Sequence, residues 1–391
     1  MGNEKRSRFL SIGWVKILYV LVYSSYGATA VYFSLYYRRV GLGSAEIGAL
    51  LSLQPLVMLL AGPLWSALAD GLGLRSRLLT LVAGASVLPM LGMMLVGGNF
   101  WWLAALNALY ALFLGPIQPL TDTLALDALG DDQRHRYSEI RAFGSLGYAP
   151  VAWLTGMWIT GHDIRWIFVG YAVLMGGGAL LSVWVRSSGA ALKTRVGAGL
   201  GVLLRDRAWQ VFAGALFISQ IAQQVTFSFV GLYLDNLGAS EGLIGFSSGL
   251  GSVTQTLLML GALSWMLRRW GSEKVLLMAM VVYGVRLLAW ALIPSPWVVT
   301  ATQVLQGFSF GASLVAAVDF AARRAPEGLA VTAQSLLTSL VFGLGRTVGS
   351  VLAGWLYDDI GPQATFGILA AMCAATAAWM AVIWRGKGQT T

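Results

Sequence analysis

Residues 119–148 read PLTDTLALDALGDDQRHRYSEIRAFGSLGY. Two apolar segments meet here at a short charged turn, 131–136. The first carries Asp122, and the second carries Arg141 about one turn inside its start. A charged side chain at membrane depth costs about 2.5–3.5 kcal/mol on insertion scales, so it tends to mark a pathway or a site. The stretch therefore reads as a helical hairpin entering a membrane from one side, with an acid on one arm and an arginine on the other.

Composition agrees with that reading. The chain has 391 residues, of which 57% are hydrophobic and 11% charged, against roughly 25% charged in a soluble domain. A single cysteine, Cys373, excludes a disulfide framework and a thiolate metal site. The two histidines, His135 and His162, have no neighbouring ligands, so no metal or other cofactor is expected. No nucleophile–base pair, metal cluster or phosphate loop is evident, so an enzyme is not expected.

Twelve runs of about 20 apolar residues recur, each long enough for a bilayer of about 30 Å. They lie near 12–37, 45–69, 77–97, 101–128, 137–160, 165–186, 208–235, 242–267, 274–293, 297–322, 328–356 and 363–385. The expected fold is an all-α membrane protein of twelve transmembrane helices in two six-helix pseudo-symmetric bundles. Residues 1–186 form the first bundle and 208–391 the second, joined by a basic linker at 187–207. Nineteen of the 26 Lys and Arg residues fall on the side of the termini and three on the other. That asymmetry puts both termini in the cytoplasm of an inner membrane. The net charge of +9 is thus directed to topology and anionic lipid, not to nucleic acid. Trp14, Trp101, Trp102, Trp166, Trp209 and Trp297, near span ends, read as interfacial aromatics.

The halves repeat. Leu35, Tyr36, Gly41, Ile47 and Gly48 map onto Leu232, Tyr233, Gly238, Ile244 and Gly245 by one shift of 197 residues, and Asp122 maps onto Asp319. Gly147 and Gly156 map onto Gly345 and Gly354 with a shift of 198. Parallel repeats of six spans are the plan of a transporter with a site near the midplane.

The candidate site residues follow from depth and spacing. Asp122 and Arg141 offer acceptors and a planar donor fork. Tyr148 lies seven residues beyond Arg141, on the same helical face, where its ring could stack on a sugar or an aromatic solute. Tyr23, Tyr26 and Tyr32 could present phenols from span 1, where Lys16 snorkels near the cytoplasmic end. Asp127 and Glu139 read as solvated. Arg286 sits near the middle of span 9 with no acid of the C-terminal half at its depth. Asp122 and a bound substrate are its expected counter-charges. Arg346 reads as facing the outer pathway or its gate, and Gln223, Gln255 and Gln306 as lining a polar cavity.

After span 2 the chain reads GPLWSALADGLGLRSRLL, where Gly62, Asp70, Arg75 and Arg77 resemble the loop 2–3 signature of the major facilitator superfamily. The resemblance implies a gating latch of Asp70 with Arg75 and Arg77; a positive-inside loop holding one acid is the other reading. P-x-x-D at residues 119–122 and IRAFGSLGY at 140–148 resemble the lactose permease and phenylpropionate-transporter branch. In lactose permease the matching acid, arginine and aromatic bind the sugar, which implies substrate roles for Asp122, Arg141 and Tyr148. The C-terminal coupling residues of lactose permease have no counterpart here: Gln306 and Ser309 stand where its tenth span has histidine and glutamate. The resemblance implies proton-coupled symport of a small solute, by a monomer in contact with lipid. Asp122 is then the one midspan acid able to carry the proton. An organic anion as substrate, uncoupled transport or export, and a non-transporting receptor are the alternatives.

Overall fold

The computed structural model describes residues 2–72, 75–130, 133, 136–185, 205–325 and 330–385. Nearly all of these are helical. In chain order the helices are α1 (Gly2–Thr29), α2 (Phe33–Arg39), α3 (Ser44–Leu72), α4 (Arg75–Met93), α5 (Phe100–Leu114), α6 (Ile117–Leu129), α7 (Tyr137–Ile159), α8 (Trp166–Ser182) and α9 (Arg207–Asn236). They continue as α10 (Glu241–Leu260), α11 (Ala262–Leu292), α12 (Pro296–Ala301), α13 (Ala312–Arg324), α14 (Ala330–Leu337), α15 (Arg346–Asp359) and α16 (Gly361–Arg385). Among the described residues, nine helical stretches are by themselves long and apolar enough to cross a membrane. The apolar passes are not all single helices. The first breaks at residues 30–32 between α1 and α2, where the sequence reads as one run. Pass 8 continues into the start of α11, which breaks at Gly271, whose φ of +77° lies in the left-handed region that favours glycine. Passes 10 and 11 each contain a π-helical stretch, Gly307–Gly311 and Thr338–Gly345; such widenings of the helix concentrate at functional sites.

The chain forms two compact units. One comprises Met1–Leu42, Leu53–Lys193 and Ala239–Gly249; the other comprises Gly43–Ser52, Thr194–Gly238 and Leu250–Thr391. Most of the basic linker lies outside the described residues, as do the side chain of Asp70 and His135.

In the first unit α1 packs along α7, and the sequence makes that approach close. A Cβ on Gly27 would lie 2.5 Å from the Tyr148 carbonyl oxygen, and one on Gly147 would run into the Val20 carbonyl and lie 2.9 Å from Ser24 Oγ. Small residues of this kind let membrane helices approach backbone to backbone. Tyr32, buried in the break after α1, donates to the Ala152 carbonyl at 2.5 Å and ties the far end of the same pair.

The second unit is built around an apolar cluster in which the Phe212 and Phe320 rings stack at 3.8 Å. Trp209 is 1% exposed and belongs to this cluster. It corrects the interfacial reading: its ring packs against Phe320 on the inner face of α9. Trp14, Trp101, Trp102, Trp166 and Trp297 are exposed, as interfacial aromatics are. Exposed Leu60, Leu64, Leu88, Leu95 and Val382 give both units apolar outer surfaces suited to lipid.

The internal repeat extends to hydrogen bonds. Tyr36 donates to the Met93 carbonyl at 2.6 Å in the first unit. Tyr233 donates to the Trp290 carbonyl at 2.7 Å in the second. One shift of 197 residues carries both donor and acceptor.

Filling the close contact should be destabilising. Gly147→Leu is expected to lower the thermal unfolding midpoint of the purified protein, since overpacking costs about 1–3 kcal/mol. Gly84→Ala, where nothing lies within 4 Å, should not lower it. Equal midpoints for Gly147→Leu and the parent would contradict the packing described.

Candidate functional site

Asp122 sits on α6, reached by side chains from α1 and α7. The Tyr19 hydroxyl donates to Asp122 Oδ1 at 2.5 Å. Tyr137, the first residue of α7, and Gln118, one turn earlier on α6, lie near this carboxylate. Tyr137 also lies near Tyr19. Arg141 acts on Asp122 through its charge; among the described residues no direct ion pair joins the two. Its guanidinium lies over the Tyr23 ring, 4.3 Å from the centroid. Tyr23 stacks parallel to Tyr19 at 5.9 Å and meets Tyr26 edge-on at 5.5 Å. The pair expected from sequence is therefore a phenol-held carboxylate beside a ring-held guanidinium.

Tyr19, Tyr23 and Tyr26 recur at the spacing of one helix face. That periodicity is the signal that could have found Tyr19, which sequence reasoning passed over. Tyr137 reads only as the first residue of the fifth span, next to the charged turn. Tyr148 lies further along α7, and its hydroxyl shares a hydrogen bond of 2.7 Å with Ser248 Oγ. Lys16 lies over the Phe143 ring at 4.8 Å.

Two carboxylates near the turn differ from each other. Glu139 is solvated and pairs with Arg136 at 3.0 Å. Asp127 corrects the solvated reading: its side chain is 14% exposed and pairs with the buried Arg75 at 3.3 Å. Helix α4 brings Arg75 inward against α6, because a carboxylate one turn beyond Asp122 needs a cation when it is not in water. Arg77, two residues on, is exposed.

In the second unit Arg286 is 1% exposed. It donates to Gln303 Oε1 at 2.5 Å and to Gln306 Oε1. Its guanidinium lies over the Trp290 ring at 4.8 Å and the Tyr283 ring at 5.8 Å. Among the described residues no carboxylate pairs with it, and its Nε has no partner. Amide oxygens and ring faces thus replace an acid, which lowers but does not cancel the cost of a buried charge. Arg346 likewise lies over two rings, Phe342 at 5.2 Å and Phe310 at 5.8 Å. Phe310 and Phe342 both belong to the π-helical stretches.

Gln223 donates to Ser219 Oγ at 2.8 Å and leaves its own Oε1 buried and unpartnered, as Gln220 leaves its Nε2. By the repeat shift of 197, Gln220 and Gln223 fall on the positions of Tyr23 and Tyr26. By the shift of 198, Arg346 falls on that of Tyr148. Gln255 packs at Gly307 and Gly311, with Met259 Sδ 3.8 Å from its amide nitrogen.

Comparison with known proteins places this architecture. The model of the MFS_1 like family matches residues 12–368. The chain belongs to that family. It is 29% identical to the maltose permease of Geobacillus stearothermophilus over 88% of this chain and 86% of that protein. It is 26% identical to the probable 3-phenylpropionic acid transporter of Escherichia coli (strain K12), over 90% of this chain and 92% of the relative. The crystal structure of nucleoside transporter NupG superposes with a TM-score of 0.83 over 96% of this chain and 99% of that one, at 16% identity. A likeness at that identity speaks to the fold alone. As a major facilitator protein the chain is an integral, multi-spanning secondary transporter of a small molecule, works by alternating access, and is a carrier rather than an enzyme. The relatives' printed substrates differ, so they single out no branch of the superfamily.

The cage around Arg286 makes a prediction. Gln303→Leu should lower the unfolding midpoint, since a lost hydrogen bond to a charged group is worth about 1.5–3 kcal/mol. Adding Arg286→Met should restore much of that loss, because the unpaired charge leaves with it. A double variant no more stable than Gln303→Leu would contradict this account of Arg286.

Proposed function

We propose that the protein is a proton-coupled symporter of a sugar or glycoside, resident in the cytoplasmic membrane with both termini in the cytoplasm. One observation carries the reading: a carboxylate among phenols, beside an arginine held on a tyrosine ring. Asp122 accepts from sugar hydroxyls, Arg141 donates to their oxygens, and Tyr148 offers a ring face. The same carboxylate, once protonated, loses its charge and its cost at membrane depth, which suits it to carry the coupling proton. The likeness to a maltose permease, and at lower identity to sucrose, lactose and raffinose permeases, supports a sugar. The distribution of basic residues supports the orientation. We assign the gating contacts to Asp70, Arg75 and Arg77 near the cytoplasmic ends of spans 2 and 3, and to Arg346 in span 11.

A second reading is an organic anion as solute. Arg286 and Arg346 favour it, being cations with no carboxylate partner among the described residues, as does the likeness to a probable 3-phenylpropionic acid transporter.

Counterflow in proteoliposomes separates the two. With maltose, sucrose and 3-phenylpropionate each preloaded, the proposal predicts exchange of at least one sugar and none of the acid. Exchange of 3-phenylpropionate alone would overturn the sugar reading in favour of the anion. Failure of both sugars would also count against it.

A further inference from the structure

We infer that the end of the second unit where α9 begins and α13 ends is a binding site for an anionic phospholipid, whose phosphate is taken by Arg268 and Arg269. Charges at this end are unevenly paired. Arg324 donates to Asp206 at 2.8 Å, and Asp206 also caps α9 by accepting from the Ala208 N–H at 2.9 Å. Arg323 pairs with Asp319 at 2.6 Å and donates to Ser272 Oγ at 2.6 Å, with Glu273 3.8 Å away. The two arginines that end α13 thus draw the start of α9 and the break before Ser272 together. In doing so they take up Asp206, Glu273 and Asp319.

Five exposed cations are left over. Arg205 and Arg207 flank Asp206, and Arg268, Arg269 and Lys274 lie on either side of Gly271. Among the described residues no carboxylate pairs with any of the five. A surface with such an excess of one sign attracts a counter-anion. The first part of α11, residues 262–270, presents two of these cations on a defined face. Leu263 and Met266 are buried in the apolar cluster, and Leu267 and Trp270 pack against it. Trp265, Arg268 and Arg269 recur at the spacing of one helix face and are exposed. Gly271, with its left-handed φ of +77°, ends this stretch and turns the chain into the next pass.

The neighbouring surface selects the anion. Leu257 and Leu260, in the last turn of α10, are exposed, as is Trp265 five residues on. The Trp265 ring meets the Trp270 ring edge-on at 5.2 Å, so it stands on a side chain anchored to the core. Tryptophan favours the headgroup level of a membrane, and a guanidinium fork matches phosphate oxygens. Leucines that face lipid therefore lead along the chain into a tryptophan and then into two free arginines. An acyl chain against Leu257 and Leu260 with a phosphate at Arg268 and Arg269 meets both requirements. A soluble phosphate would leave the leucines and the tryptophan without a partner. A zwitterionic lipid would bring its own cation to a surface already rich in them.

Native mass spectrometry of the detergent-solubilised protein, titrated with dioleoylphosphatidylglycerol or dioleoylphosphatidylcholine, tests the site. The parent should bind its first phosphatidylglycerol about 25-fold more tightly than its first phosphatidylcholine, about fivefold for each arginine engaged. Arg268→Gln combined with Arg269→Gln should remove that advantage, and each single variant should remove about a fivefold part of it. Arg268→Lys combined with Arg269→Lys keeps the charge and should keep most of the preference. Both arginines are exposed, so the unfolding midpoint without lipid should match the parent's in every variant; if the double variant does not fold, the single variants decide. A parent that prefers neither lipid overturns the inference, as does a preference that survives both glutamine substitutions. Displacement of phosphatidylglycerol by an equal concentration of glycerol 3-phosphate would also overturn it, by marking a site for a soluble phosphate ester.

Discussion

A carboxylate at membrane depth has to be supplied with donors, and the bond from Tyr19 to Asp122 is where this chain meets that constraint. The bond requires α1 to meet α6 while α1 also packs along α7. That packing in turn requires Gly27 and Gly147, whose missing side chains let α1 lie against the backbone of α7. A sequence feature that reads as mere helix packing therefore determines the surroundings of the titratable group. The same rule operates in the second unit with the opposite sign of charge. Arg286 is enclosed by the amide oxygens of Gln303 and Gln306 and by the Trp290 ring, a neutral cage around a fixed cation.

The internal repeat separates frame from chemistry. Tyr36 with Met93 and Tyr233 with Trp290 make one hydrogen bond twice, at matching places in the two units. These bonds satisfy backbone carbonyls that have no water to turn to, so both units have the same reason to keep them. The linings differ where the frame does not. Tyr23 and Tyr26 have glutamines in their repeat positions, and Tyr148 has Arg346. One unit thus presents an acid among rings, the other arginines among rings and amides.

The helical fold and its repeat were legible because membrane depth leaves few solutions: long apolar runs must be helices, and a constant shift between halves signals duplication. Asp122, Arg141 and Arg286 stood out as charges in apolar runs. Their partners did not. Nothing in linear order marks Tyr19 as the partner of Asp122, since that role comes from α6 lying against α1. Asp127 was misread as solvated because depth along a helix says nothing of which neighbour faces it, and Arg75 is that neighbour. Trp209 was misread for a related reason: a tryptophan near a span end can face the core as readily as the lipid boundary, and here the Phe320 ring faces it.

The central claim is that Asp122 is the titrating centre of a coupled carrier. It is tested most directly by a pH electrode in a lightly buffered suspension of cells producing the protein, with maltose added as the probe. The parent should alkalinise the medium on addition of maltose, and Asp122→Asn should not. Alkalinisation of equal size in both would contradict the account.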